Sequence, residues 1–131
     1  MGIEIPEAYR DLLTRPVVAA LATLLPDGQL QVNPVWVDAT GDQLRVNTAR
    51  GRHKDMNLHA RPQCTLLFID PDNPYRYLEV RGRVADEREE GARANIDVLA
   101  KKYLDKDDYP FYQGETRVMY AIEPTRVTTQ G

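Results

Sequence analysis

The chain has 131 residues, 42% of them hydrophobic and 28% charged, the composition of one ordinary globular domain over residues 1–131. A net charge of −3 argues against a general nucleic-acid binder. The longest apolar run, residues 17–25, is about half a membrane span, and the N-terminus lacks a basic segment followed by an apolar one. We therefore expect a cytoplasmic protein with no membrane partner. The single cysteine, Cys64, excludes an internal disulfide and a multi-cysteine metal site, so we expect a core residue there.

Short elements follow one another along the chain, with glycine and proline marking the turns between them. A first helix is predicted over residues 6–14, with a proline near its start. Two further helices are predicted over residues 52–60 and 89–104, the second from apolar residues at helical spacing. Six strands are predicted, over residues 17–24, 30–38, 43–48, 63–69, 75–85 and 116–123, with Pro124 ending the regular pairing of the last one.

Most of these strands are joined by hairpin signals, such as the Pro-Asp-Gly turn at residues 26–28. They predict a mainly β fold with flanking helices, built on a six-stranded antiparallel sheet that closes into a small barrel. A barrel this small is filled by its own side chains, so a large ligand must lie in an outer groove or between subunits. The strand over residues 17–24 is apolar on both faces, which predicts that both are buried. The second face would be covered by another copy in a homodimer.

A basic segment interrupts this pattern in an otherwise acidic chain. Between Arg45 and Arg61 the only acidic residue is Asp55. Such a cluster is typical either of a site for one anionic ligand or of a solvated charged face.

Residues 47–58 run from a strand end through Gly51 into a helix start, where free N–H groups and a partial positive charge favour anions. Lys54 and Asn57 share a helix face with Arg61. The candidate phosphate-binding residues are Thr48, Arg50, Arg52, His53, Lys54 and Asn57. The alternative is a plain basic helix.

The second candidate is the Asn33-Pro34-Val35-Trp36 run in the predicted second strand. Proline cannot donate to a sheet ladder, so Pro34 must face an edge, a bulge or a ligand. A flat ring system could lie along such an interrupted strand, with its polar edge against free backbone groups. The alternative is an ordinary edge strand, with Trp36 in the core or in a subunit interface.

Other catalytic patterns are missing from the sequence. It contains no nucleophile elbow, no His-Glu-x-x-His pair and no Gly-x-Gly-x-x-Gly after a strand, and it predicts no metal site. An aromatic patch follows the long predicted helix, with Tyr109, Phe111 and Tyr112. We expect it to cap the barrel or to fill an interface rather than to bind substrate.

Taken in order, these segments resemble the pyridoxamine-phosphate-oxidase-like split-barrel superfamily. Within it, the chain is most similar to the actinobacterial F420-dependent class B flavin/deazaflavin oxidoreductases. The resemblance covers nearly the whole chain. It is carried by the runs at residues 17–24, 26–28, 31–36 and 52–58, by Arg61-Pro62, and by the runs at 79–84 and 122–127.

The resemblance implies a homodimeric split β-barrel with two cofactor sites at the subunit interface. It places the cofactor phosphate on Thr48, Arg52, Lys54 and Asn57, and the tricyclic ring along residues 33–36. Arg50 and His53 lie in the same segment but are not fixed in the family pattern.

The function implied is an F420H2-dependent reductase that transfers a hydride to an activated double bond of a small conjugated or heteroaromatic substrate. Arg50 beside Arg52 favours F420, because this coenzyme carries a polyanionic glutamyl tail besides its phosphate. Two alternatives stay open: an FMN-dependent oxidase or reductase, and a cofactor-binding protein without turnover.

Overall fold

A computed structural model describes residues 3–131 of the protein. A 3-10 turn at Glu7–Tyr9 leads into the short helix α1, Asp11–Thr14. The longer helices are α2, His53–Ala60, and α3, Ala92–Leu104. The described strands are β1 Ala19–Leu24, β2 Leu30–Val35, β3 Val37–Thr40, β4 Gln43–Ala49, β5 Gln63–Ile69, β6 Tyr77–Arg88 and β7 Arg117–Gln130.

These strands form a single antiparallel sheet in the order β2-β1-β5-β6-β7-β4-β3. The two edge strands, β2 and β3, are consecutive in the chain and are separated only by Trp36. Val35 pairs with Ala19 of β1, whereas Val37 pairs with Val46 of β4. The sheet is therefore curled into a barrel whose two edges are joined through the chain itself, a junction that we call the seam.

The seam corrects the strand count. The single strand predicted over residues 30–38 is two strands, because the chain changes its pairing partner at Trp36, and the described sheet has seven strands instead of six. The mainly β antiparallel barrel with flanking helices is confirmed.

The prediction that regular pairing ends at Pro124 was wrong. Strand β7 continues to Gln130 and stays paired with β6 along most of its length. Pro124 lies opposite Gly82, beside a register shift that accommodates it. A Cβ atom at Gly82 would lie 2.6 Å from Ile122 Cγ2 and 2.7 Å from the Glu123 carbonyl oxygen, so glycine is needed for this close approach.

The barrel interior is filled by apolar side chains from alternate positions of the strands. Leu21, Phe68 and Tyr120 are fully buried within it. Cys64 is also buried, as predicted, and burial raises the pKa of its thiol to about 12. This filling leaves the ligand-binding surfaces on the outside of the barrel.

Within a single copy of the chain, strand β1 buries only one face, and the cover that a second copy was expected to give the other face stays a prediction. Leu21 is buried, but Ala20 and Ala22 on the other face are only half-buried, and the preceding Val18 is 51% exposed. The first helix is shorter than predicted. Its first part is the 3-10 turn at Glu7–Tyr9, so the α-helix begins only at Asp11. Its end at Thr14 is as predicted, since Arg15 is extended before Pro16. No helix within residues 3–131 is long and apolar enough to span a membrane.

Candidate functional site

An open groove of about 330 Å³ runs along the outside of the barrel at the seam. It is bounded by the strands β2 and β4, the start of α2, one side of α3 and the loop that leads into β7. Its lining residues are Val18, Pro34, Val35, Trp36, Asn47, Thr48, Arg52, Lys54, Ile96, Leu99, Tyr109, Phe111 and Arg117.

One part of the groove is cationic. Arg52 and Lys54 come from the turn into α2, and Arg117 from the start of β7. Within residues 3–131, no carboxylate lies within salt-bridge distance of Arg52 or Lys54, whereas Arg117 pairs with Glu115 at 3.0 Å. Burial lowers the pKa of Lys54, and the nearby charges of Arg52 and Arg117 lower it further. An anion bound here would relieve that repulsion.

The Thr48 hydroxyl is a buried polar group without a protein partner. Thr48 is 1% exposed, and its Oγ1 has no hydrogen-bond partner among the described residues. A buried hydroxyl without a partner costs about 1–3 kcal/mol, and a ligand atom that hydrogen-bonds to it removes that cost. Because Thr48 also lines the groove beside the cationic part, the hydroxyl is suited to a ligand oxygen.

The groove also has an aromatic part, which adjoins the cationic residues, because the Arg117 guanidinium lies 5.2 Å from the Tyr109 ring centroid. The Trp36 ring stacks on Tyr103 of α3, with 5.3 Å between ring centroids and 7° between planes. Tyr109 meets Trp36 edge-on at 6.0 Å, and Phe111 meets Tyr109 edge-on at 5.6 Å. These rings form a wall suited to a flat, apolar ligand.

Two residues of this wall come from the aromatic patch of the sequence. Tyr109 and Phe111 line the groove, and their expected role in capping the barrel or filling an interface stays a prediction. Tyr112 lies outside the groove, with its ring 4.0 Å from the Arg93 guanidinium. The place of Tyr109 and Phe111 near the groove could have been inferred from their position in the chain. The loop that carries them leads directly into β7, and β7 pairs with β4 beside Thr48.

Arg50 is not brought into the groove. Its guanidinium donates to Glu87 at 2.6 Å, to Glu89 at 2.8 Å and to Asp55 at 3.0 Å. Hydrogen bonds, with Glu87 the strongest contributor, raise the pKa of Arg50. Three carboxylates therefore neutralise the charge that sequence analysis assigned to an anionic ligand.

Asp55 fixes the turn that presents the cationic residues. Gly51 has a φ of +90°, a conformation that favours glycine, and its N–H donates to Asp55 Oδ2 at 2.9 Å. Tyr120 donates to Asp55 Oδ1 at 2.6 Å. Burial alone would raise the pKa of Asp55, but the bonds from Tyr120, Gly51 and Arg50 outweigh it and lower that pKa.

The two remaining candidates from α2 also lie outside the groove lining. Asn57 is buried and donates to Thr23 Oγ1 at 3.0 Å and to Gln31 Oε1 at 3.2 Å, so it ties α2 to the barrel. His53 is exposed, with its ring nitrogen 3.4 Å from the Gln31 amide.

Asn33 lies in a second, mainly apolar hollow of about 300 Å³ beside the groove. Its Oδ1 is buried and has no hydrogen-bond partner among the described residues. Six of the ten predicted site residues therefore line the groove, namely Pro34, Val35, Trp36, Thr48, Arg52 and Lys54.

Comparison with known proteins agrees with this architecture. The sequence pattern of the pyridoxamine 5'-phosphate oxidase family matches residues 5–131, and the chain belongs to that family. It is thus an oxidoreductase-type split β-barrel, as the resemblance implied. No curated protein matches the chain significantly.

Among solved structures, one described as an F420 reductase is 39% identical, with a TM-score of 0.85, and the match covers 95% of this chain and 98% of that one. A conserved hypothetical protein from Mycobacterium tuberculosis is 22% identical, with a TM-score of 0.78, covering 98% and 86% of the two chains. General Stress Protein 26 from Bacillus anthracis is 18% identical, with a TM-score of 0.71, covering 95% and 92%. The last two similarities concern the fold alone.

Proposed function

We propose that the protein is a reductase that binds coenzyme F420 in the groove and transfers a hydride to an activated double bond of a small conjugated or heteroaromatic substrate. The observation that carries the proposal is the pair of cations Arg52 and Lys54 next to the buried Thr48 hydroxyl, three groups that have no ion-pair or hydrogen-bond partner among residues 3–131 to neutralise or satisfy them. Similarity to an F420 reductase at 39% identity supports this choice of cofactor.

The residues present fit such a cofactor. Thr48, Arg52 and Lys54 would hold its phosphate. Phosphate oxygens accept hydrogen bonds from hydroxyl groups and from cationic side chains, and these three residues supply both. Pro34 and Trp36 would lie against its ring. When bound in reduced form, the cofactor supplies a hydride.

The protein contributes binding, orientation and exclusion of water. The cationic part fixes the phosphate of the ligand, while the stacked aromatic wall holds the flat ring system in a single orientation. Apolar side chains, among them Val18, Ile96 and Leu99, also line the groove, and a bound flat ring would displace water from them. A substrate would share this apolar section, which favours flat molecules of low charge.

One observation supports the alternative that the cofactor is FMN. Arg50 was the residue expected to meet the glutamyl tail of F420, and it is occupied by Glu87, Glu89 and Asp55. The cations that remain at the groove would attract the phosphate of either cofactor. A cofactor-binding protein without turnover is the third candidate, distinguished by its failure to reduce any acceptor.

We also propose that the protein is a homodimer. The second hollow is mainly apolar, and three of the residues that line it, Val18, Val32 and Ile69, are 51%, 62% and 45% exposed. A contiguous apolar patch of this kind is typical of an interface. The hollow shares Val18 and Pro34 with the groove, so a second copy bound here would border the cofactor. Sedimentation as a monomer at micromolar concentration would overturn this proposal.

The functional proposal is tested by titrating the purified protein with F420 and with FMN. We expect tighter binding of F420. Lys54→Ala should weaken binding about ten- to a hundredfold without unfolding the protein. Lys101→Ala is the matched control, because Lys101 is an exposed lysine on α3, away from the groove. Hydride transfer from reduced F420 to a panel of unsaturated acceptors separates an enzyme from a carrier. Tighter binding of FMN under all conditions would favour the FMN alternative.

A further inference from the structure

At the seam, side chains of α3 replace the strand pairing that the barrel lacks. Tyr103 Oη accepts a hydrogen bond from the Val37 backbone N–H at 3.1 Å and donates to the Val17 carbonyl at 2.8 Å. Val17 leads into β1, and Val37 begins β3. One hydroxyl therefore connects the backbone on the two sides of the seam.

Lys102 also bonds to the backbone at the seam. Its Nζ donates to the Val37 carbonyl at 2.6 Å and also to the Leu13 carbonyl at the end of α1. The half-buried ammonium lies 5.0 Å from the Tyr103 ring centroid. The last turn of α3 thus satisfies both backbone groups of Val37.

The ring of Tyr103 acts on the groove directly. It stacks face to face with Trp36, the residue at which the chain passes from β2 to β3. Trp36 lines the groove, and Tyr103 does not. Tyr103 therefore fixes the backbone directly after Trp36 through its hydroxyl and the Trp36 ring through its own ring.

We propose that Tyr103 is a positioning residue for the aromatic part of the groove: it holds Pro34 to Trp36 in place, so that binding of a flat ring depends on it and binding of a phosphate does not. The inference rests on the proposed function. Arg52 caps the start of α2 and Lys54 lies in its first turn. Neither has a hydrogen bond to Tyr103, so we expect substitutions at the cationic residues and at Tyr103 to act separately.

The test compares FMN with riboflavin, which differ only by the phosphate, and F420 with deazariboflavin, which lacks both the phosphate and the glutamyl tail. In Tyr103→Phe, which keeps the stacking ring, we expect all four affinities to fall about tenfold, for the loss of two hydrogen bonds. The ratio of affinities within each pair should stay unchanged. In Lys54→Ala the opposite is expected, with that ratio collapsing towards one. Tyr75→Phe, at an exposed tyrosine, is the matched control.

The inference would be overturned if Tyr103→Phe bound riboflavin and deazariboflavin as tightly as the wild type. It would also be overturned if the loss of affinity were confined to the ligands that carry a phosphate. If Tyr103→Phe does not fold, Lys102→Met removes only the lysine contacts and should show the same ring-selective loss.

Failure of the proposed function is recognised separately, because wild-type protein would then bind none of the four ligands. The inference is then decided by fluorescence, since Trp36 is the only tryptophan. Loosening of the seam in Tyr103→Phe should increase the quenching of Trp36 by acrylamide at least twofold relative to Tyr75→Phe. Equal quenching in the two variants would overturn the inference.

Discussion

Arg117 donates through Nε to Oδ1 of Asn47 at 2.9 Å, and this bond joins two buried residues 70 positions apart in the chain. The Asn47 amide in turn donates to the Ala92 carbonyl at 2.8 Å and to Asn95 Oδ1 at 3.0 Å. The groove wall is thereby tied to the start of α3.

We expect Asn47→Leu to destabilise the protein by about 2–3 kcal/mol, because it leaves the buried Arg117 Nε and Asn95 Oδ1 without partners. Chemical denaturation measures the free energy of unfolding. Gln43→Leu, at an exposed position of the same strand, should change it by less than about 0.5 kcal/mol. Similar losses in the two variants would contradict this account.

Arg50→Met should lower stability without changing the preference for one cofactor. It removes the cation that offsets the buried carboxylate of Asp55, and we expect a cost of about 2 kcal/mol. The ratio of F420 to FMN affinity should equal that of the wild type. Arg52→Met should weaken the binding of both cofactors with little effect on stability. A loss confined to F420 in Arg50→Met would restore the assignment of Arg50 to the glutamyl tail.

As pH rises, anion binding should weaken at a lower pH than it would if Lys54 had the pKa of an ordinary lysine. The pKa of Lys54 is lowered by burial and by Arg52 and Arg117, so its positive charge is lost below the usual pH. Sulfate keeps a constant charge from about pH 7 to 10 and is a clean probe, read out by competition with the cofactor. In Lys54→Arg the decline should disappear, because arginine stays charged. If sulfate affinity of the wild type did not change with pH, the lowered pKa of Lys54 would be contradicted.

Asp11 should contribute to stability above pH 4 and cease to do so near pH 2. Bidentate hydrogen bonds from Arg76, at 2.6 and 3.1 Å, and the bond from Arg15 lower its pKa to about 2, below the value of an unfolded chain. A lowered folded-state pKa stabilises above the unfolded value, and this contribution is lost as pH falls through the folded one.

The Asp11 carboxylate is 41% exposed, so Asp11→Asn should cost only about 1 kcal/mol at pH 7. The difference from wild type should vanish near pH 2, as denaturation at several pH values would show. Glu7→Gln, at a 94% exposed carboxylate, is the control. A cost that persists unchanged at pH 2 would argue for packing instead of charge.

Gly82→Ala should destabilise the barrel by roughly 1–3 kcal/mol, because the new methyl group would overlap Ile122 and the backbone of Glu123. Thermal unfolding should show the loss. Gly114→Ala is a useful comparison, since a Cβ there meets nothing within 4 Å and its φ of +85° isolates the backbone cost. Equal stability of Gly82→Ala and wild type would mean that the bulge relaxes around the methyl group.

The sequence predicted best what is local. Thr48, Arg52 and Lys54 lie within one stretch that passes from a strand through Gly51 into a helix, so their proximity follows from the chain itself. The role of Arg50 could not be predicted, because Glu87 and Glu89 are 37 and 39 positions away and meet it only when the sheet forms. The contact between Tyr109 and Trp36 could not be predicted for the same reason, as it depends on how the loop folds back.

The seam at Trp36 also constrains how the protein folds. Residues on its two sides are neighbours in the chain but belong to opposite edges of the sheet, and β4 must find β7 across most of the sequence. Since distant pairings form slowly, we expect closure of the barrel to come after formation of the local hairpins. The Trp36 ring gains its stacked neighbour only at that stage. The intrinsic fluorescence of the protein should therefore follow the final step of refolding.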